Sequence, residues 1–171
     1  HGDIKARRDI NSMAGNKVSF VDGESGEYDL ILLATGYQLD YPFIDRKHLN
    51  WPAQVDAPQL YMNVFHPQYD NLFMMGMIEA AGLGWEGRNQ QARLAALYIH
   101  QRQQCSPAAL QFAETKRQQA TSNLDGGYDY IKLARMAYYV NKDAYLAALN
   151  QHITALEAEL QASTPEPVAT T

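Results

Sequence analysis

The sequence predicts an α/β fold with a β-rich first half and a helical second half. Three observations carry that expectation. The run Leu30-Ile31-Leu32-Leu33-Ala34 is apolar without a break, follows Asp29 and ends on Thr35-Gly36. A short apolar run between polar residues and glycine fits a strand covered on both faces, as in a parallel or mixed sheet. Leu72-Phe73-Met74-Met75-Gly76-Met77-Ile78 is a second apolar strand by the same reasoning. From about residue 86 onward, apolar residues instead recur at the three- and four-residue steps of a helix.

Residues 1 to about 45 read as β-rich. Val18-Ser19-Phe20-Val21 runs into Asp22-Gly23, a hairpin-type turn. Residues 24–27 read as a polar connector, and Tyr28 opens the buried strand. Thr35-Gly36 lets the backbone turn closely at the carboxyl end of that strand, where α/β sheets place their ligands. Residues 45–59 hold two of the seven prolines and no periodicity, which predicts a loop. Leu60 to Phe65 alternates like a strand, and His66 to Asn71 is a turn cluster. The first helix takes Ala92, Ala95, Ala96 and Ile99 as its apolar positions, starting between Glu86 and Asn89. Ser106-Pro107 is a helix start, a capping hydroxyl followed by proline, for a helix to about Ala120. Asn123 to Gly127 breaks it, and Tyr128 to Tyr139 reads as an aromatic helix used for packing. Leu146, Leu149, Ile153, Leu156 and Leu160 form an amphipathic stripe. The tail, residues 163–171, has the composition of a disordered segment.

Composition narrows the function classes. The 171 residues suffice for a domain with its own core. A net charge of −5 provides no global basic field for nucleic acid. No apolar run approaches transmembrane length and no signal-peptide pattern is visible, so a cytoplasmic protein is expected. The single cysteine, Cys105, excludes an internal disulfide and reads as an inert thiol. The five histidines are scattered without metal-ligand spacing, so no metal site is expected. No GxSxG elbow or Ser/His/Asp grouping is present either.

Four ordered blocks carry a resemblance. Ala34-Thr35-Gly36-Tyr37 is followed by Pro42-Phe43-Ile44. Next come Leu60-Tyr61-Met62-Asn63-Val64-Phe65-His66-Pro67, then Phe73-Met74-Met75-Gly76-Met77-Ile78-Glu79, then Gln91-Ala92-Arg93. Their order and spacing resemble flavin-containing monooxygenases and related class B flavoprotein monooxygenases. The match covers residues 1 to about 100 well and continues weakly through Tyr128-Asp129-Tyr130-Ile131. The resemblance implies the C-terminal part of a Rossmann-like flavoprotein with two dinucleotide-binding domains. Residues 1–36 would close the NADPH-binding domain, and residues 37–162 would form the C-terminal part of the FAD-binding domain. In that family two GxGxxG fingerprints lie upstream of the Ala-Thr-Gly strand, and neither is in this sequence. With the opening His1-Gly2-Asp3-Ile4 and no initiator Met, this makes the chain roughly the last third of such an enzyme, with the N-terminal portion as its expected partner.

The implied cofactors are FAD and NADPH. The implied cofactor-binding residues are Ala34, Thr35, Gly36, Tyr37, Gly76, Met77, Ile78, Glu79 and Gln91. Physically, Gly76 gives backbone access to a planar ligand, and Ala80-Ala81-Gly82-Leu83-Gly84 offers small side chains for a flat ring. The free N–H groups of the helix that follows could stabilise negative charge on a reduced flavin. A tight turn packed for its own sake fits those residues equally well, and the resemblance favours the cofactor wall. Gln91, or Gln90 instead, could bond the flavin's pyrimidine edge or a neighbouring loop. Asn63 and Trp85 are candidate substrate-cavity residues, with an edge position for Asn63 and a core position for Trp85 as the plainer readings.

The function implied is N- or S-oxygenation of small soft nucleophiles with O2, through oxygen added at the flavin C4a position. No side chain here need act as general acid or base. Baeyer–Villiger oxygenation of ketones is the nearest alternative. A catalytically silent piece, self-associating or docking through exposed faces, is an alternative of a different class; the 171-residue chain alone is expected to be inactive. A flavin disulfide reductase also carries an Ala-Thr-Gly strand, but His66-Pro67 follows it too soon for that family's dimerisation motif.

Overall fold

The computed structural model describes residues 4–36, 38–119, 123–130 and 133–162, apart from the side chain of Arg135. The chain divides between Gly36 and Tyr37 into two compact units.

The first unit is a small antiparallel sheet, ordered β1 (Ile10–Ala14), β2 (Lys17–Phe20), β3 (Ser25–Glu27). Val18 and Phe20 alternate with more exposed neighbours on β2 and form its buried face. The Tyr28 ring meets Phe20 edge-on at 6.4 Å, and Arg7 pairs with Glu24 across the unit. The segment expected as a connector is β3: Gly26 and Ser25 pair with Val18 and Ser19.

Leu30–Ala34 corrects the leading expectation. It forms no strand, and Leu30, Leu32 and Leu33 are 83%, 84% and 75% exposed. An apolar run becomes a covered strand only where neighbouring strands accept its N–H and C=O groups and layers cover its faces. No described strand pairs with it.

The second unit carries the main core, built on α1 (Gly84–Gln103), α2 (Pro107–Gln118) and α3 (Lys142–Ala162). A short 3-10 turn, Arg46–Leu49, breaks the predicted loop, and Asp45 caps it by accepting from the Lys47 N–H. Ser106 caps α2 as expected, accepting from the Ala109 N–H at 3.2 Å, with Pro107 in the first turn. α3 buries Tyr145, Leu149, Ile153 and Leu156, one stripe at helical spacing. The core centre is aromatic: Phe112 lies 4.9 Å from Phe65, 5.0 Å from Tyr98 and 4.9 Å from His152.

Further expectations fail for identifiable reasons. Leu60–Phe65 is a tight reversal, with Met62 and Asn63 both at φ 55 and Tyr61 and Phe65 exchanging backbone hydrogen bonds at 2.9 Å. Tyr61, Met62, Val64 and Phe65 are all buried, a pattern that alternation across a strand cannot deliver. The 72–78 run pairs only at Phe73, opposite Phe65, because Gly76 at φ 81 redirects the backbone. Within Tyr128–Tyr139 the described part is irregular, with a 3-10 turn at Ala134–Met136. The apolar face of α1 is not the one expected: Ala92, Ala96 and Ile99 are exposed, and the buried face is Gly87, Gln91, Leu94, Ala95, Tyr98 and Gln101. The expected disordered tail lies outside the described residues.

Candidate functional site

The residues expected to face a cofactor fall in both units. Ala34, Thr35 and Gly36 belong to the first and are exposed, with Gly36 at φ 87. Tyr37 lies outside the described residues. The remaining candidates, Gly76 to Glu79 and Gln91, are neighbours in the second unit.

Gly76 sits at φ 81, where an L side chain is strained. A Cβ placed there would meet only the Arg88 Nε, at 3.9 Å, so conformation rather than space requires glycine. The Gly76 N–H donates to Gln91 Oε1 at 3.0 Å, and the Ile78 N–H donates to the Gly76 carbonyl at 2.8 Å. Met77 and Ile78 point into the core, 5% and 2% exposed. Glu79 is exposed, and its carbonyl accepts from the Val140 N–H at 3.0 Å, a parallel bridge to the segment before α3.

Gln91 is fully buried, and its bonds go to protein: Oε1 accepts from Gly76, and Nε2 donates to the Tyr145 hydroxyl at 2.6 Å. The Tyr145 hydroxyl donates to the Met62 carbonyl at 2.8 Å. Gln91 thus ties α1 to the Gly76 turn, to α3 and to the 61–65 reversal. Asn63 Nδ2 donates to the Tyr138 carbonyl at 3.3 Å. Asn63 also lines a cavity of about 220 Å³ with Leu60, Leu124 and Tyr139. Trp85 is 85% exposed at the start of α1 and not a core aromatic; the Arg88 guanidinium lies 5.9 Å from its ring. Trp85 is not among that cavity's lining residues.

On α2, Lys116 is buried to 0% exposure. Its Nζ donates to the carbonyls of His66 at 2.9 Å and Pro67 at 3.2 Å and pairs with Asp70 Oδ1 at 2.8 Å. Asp70 also accepts from the Tyr98 hydroxyl at 2.9 Å and pairs with Arg102 and Arg117. Burial alone would raise the Asp70 pKa, but hydrogen bonds from Lys116 and Tyr98 and the positive charge of Lys116 bring it down to about 2. Burial, then the Lys116 charge, lowers the His66 pKa, and His66 Nδ1 accepts the Gln68 and Tyr69 N–H groups. The Tyr61 hydroxyl bonds His152 Nε2 at 2.7 Å; burial pushes Tyr61 up to about 12 and His152 below its usual value.

Lys116 and Tyr145 were missed in the sequence, although both lie at helical spacing with apolar residues of their own helices. Lys116 follows Ala109, Phe112 and Ala113, and Tyr145 precedes Leu149 and Ile153. Their polar ends hid them from an apolar count.

A model of the family described as flavin-binding monooxygenase-like matches residues 1–159. The chain belongs to that flavin-binding monooxygenase-like family. The resemblance read from the four motif blocks is therefore correct, and a flavin is the cofactor implied. No solved structure matches the chain significantly. Among the described residues no helix is long and apolar enough to cross a membrane.

The turn leading into α1 of this flavin-binding monooxygenase-like chain presents small residues to solvent. Ala81, Gly82 and Gly84 are exposed, and a Cβ on Gly82 or Gly84 would meet no atom within 4 Å. Beside them the N-terminus of α1 has no side-chain cap, so its leading N–H groups are not taken by a capping side chain.

Proposed function

We propose that the protein carrying this chain is an FAD- and NADPH-dependent monooxygenase that oxygenates small soft nucleophiles at nitrogen or sulfur. The observation that carries this reading is family membership across residues 1–159. A bound flavin would supply the oxygen-activating redox chemistry, with NADPH as reductant and O2 as co-substrate. The residues of this chain would hold and orient it. The Gly76–Glu79 backbone, fixed by Gln91, would form one wall, and Ala81, Gly82 and Gly84 would lie against the ring system. The α1 N-terminus would favour negative charge at the adjacent ring edge. Asn63 and Trp85 are assigned to the substrate side, Ala34, Thr35, Gly36 and Tyr37 to the passage between the nicotinamide and flavin domains of a Rossmann-like pair. No side chain in this arrangement is needed as an acid or base.

The reading includes a further polypeptide segment that pairs with Leu30–Ala34. The exposure of Leu30, Leu32 and Leu33 supports it, because a run so apolar is stable as a strand only when covered. The same exposure favours a second reading, in which the chain works as an interaction module without catalysis.

The complete open reading frame that carries this chain should purify with a visible flavin band. It should oxidise NADPH faster when amines or sulfides are added, and yield N-oxides or sulfoxides. Ester products from ketones would move it to the Baeyer–Villiger class. Protein that takes up no flavin even with FAD added would leave only the interaction module.

A further inference from the structure

Gly76, Gln91, Tyr145 and Met62 form one continuous hydrogen-bonded chain, and its polarity is fixed at one end. The Gly76 N–H can only donate, so the oxygen of the Gln91 amide must face it. The amide nitrogen then faces Tyr145 and donates to its hydroxyl. That leaves the hydroxyl proton to donate to the Met62 carbonyl. All bonds run the same way, the arrangement in which successive hydrogen bonds polarise one another. Gln91 and Tyr145 are both fully buried, so no water competes. Burial also raises the Tyr145 pKa, and the phenol keeps its proton at any working pH.

The chain ends on two residues with left-handed backbone, Met62 at φ 55 and Gly76 at φ 81. Such a conformation is strained for a residue with a Cβ, and it persists only where surrounding contacts over-determine it. The two segments already pair with each other at Phe65 and Phe73, and the Tyr145 hydroxyl ties both of them to a third element, α3. Nothing else in that stripe is polar: Leu149, Ile153 and Leu156 give α3 its packing, so the hydroxyl adds direction rather than burial.

We propose that Tyr145 is the positioning residue of the cofactor wall: its hydroxyl fixes the Gln91 amide, which holds the Gly76 backbone in the conformation presented to the flavin. This rests on the function proposed above. Tyr145 touches no ligand and acts through Gln91. Removing its oxygen alone, in Tyr145→Phe, keeps the ring in the core but strands the Gln91 N–H without an acceptor and frees the amide to turn.

The test is hydrogen–deuterium exchange resolved to single amides in the complete protein, together with FAD titration. In the unsubstituted protein the Gly76 amide should exchange slowly although it lies outside helix and sheet. In Tyr145→Phe it should exchange about tenfold faster, the loss expected for one buried hydrogen bond, while the Phe112 amide in α2 changes less. FAD affinity should fall by about tenfold. A uniform acceleration of Gly76 and Phe112 together would make Tyr145 an ordinary core residue and overturn the proposal, as would unchanged Gly76 exchange. If Tyr145→Phe does not fold, the unsubstituted protein decides, because fast exchange at Gly76 overturns the relay and slow exchange supports it. Protein that binds no FAD at all, with Gly76 still selectively released by Tyr145→Phe, would defeat the flavin reading and leave the relay standing.

Discussion

A single ammonium group, that of Lys116, organises the loop between the two apolar runs of the second unit. A buried lysine is stable only when fully hydrogen-bonded and paired. Lys116 meets this requirement with the carbonyls of His66 and Pro67 and the Asp70 carboxylate. Lys116→Met would keep most of the volume while leaving buried carbonyls without a donor. The expected loss is about 3 kcal/mol, the usual cost of breaking a buried pair. A urea titration with unchanged slope and a free-energy loss, slope times midpoint shift, of less than about 1 kcal/mol would contradict it. The same carboxylate sets an acid limit. Asp70 titrates at about 2 in the folded protein, against 3.8 for an ordinary aspartate. The unfolded chain therefore takes up the proton first. The stabilisation is complete above the unfolded value and is lost as pH falls from about 4 to about 2, a contribution of about 2 kcal/mol. Asp70→Asn should flatten the stability curve across that window. Parallel curves for the two proteins between pH 2 and 4 would show that Asp70 is not the group titrating.

Helix α1 shows how packing overrides propensity at the level of an element. Gly87 faces inward where Leu83 crosses the helix start, and a Cβ there would sit 2.5 Å from Leu83 Cγ and 2.7 Å from its Cδ1. Leu83 is 2% exposed and has little room to move. Alanine at this position gains about 1 kcal/mol in helix propensity, but overpacking costs about 1–3 kcal/mol. Gly87→Ala should therefore lower stability by about 1 kcal/mol, and a higher melting temperature would show that the helix start relaxes freely. This crowding cannot be read from sequence, because it depends on where Leu83 is held. The helices themselves were legible: Ser106-Pro107 marked the start of α2, and the leucine stripe marked α3. The inward face of α1 was not, because Gln91 and Gln101 occupy two of its buried positions. Gln101 holds α1 to the Leu156 carbonyl and to Ser106. Leu60–Phe65 also misled, since its alternation of side chains was local and its reversal depends on two successive left-handed residues, of which Asn63 alone is of a type that favours that conformation.

At the scale of the whole molecule, the family was legible in four short blocks because each carries a backbone requirement or an apolar pattern that survives without context. The placement of Leu30–Ala34 was not, because a strand of a mixed sheet is defined by its neighbours. That segment leaves Leu30, Leu32 and Leu33 on the surface of the 171-residue chain, at 83%, 84% and 75% exposure. Contiguous exposed leucines with unpaired backbone groups invite pairing with another chain. The isolated chain should therefore self-associate with rising concentration. Each leucine side chain covered on association is worth about 1.5–3 kcal/mol. Leu30→Lys with Leu32→Lys would replace two of them with charges that resist edge pairing, and association should weaken at least about tenfold. Sedimentation velocity over a wide concentration range reads this directly. If the unsubstituted chain sediments as one monomeric species throughout, the leucine run is not a pairing surface, and the reading that another segment covers it falls too. If both proteins associate equally, the contact lies elsewhere. Loss of association confined to the lysine variant would identify Leu30–Ala34 as an edge that takes a partner strand.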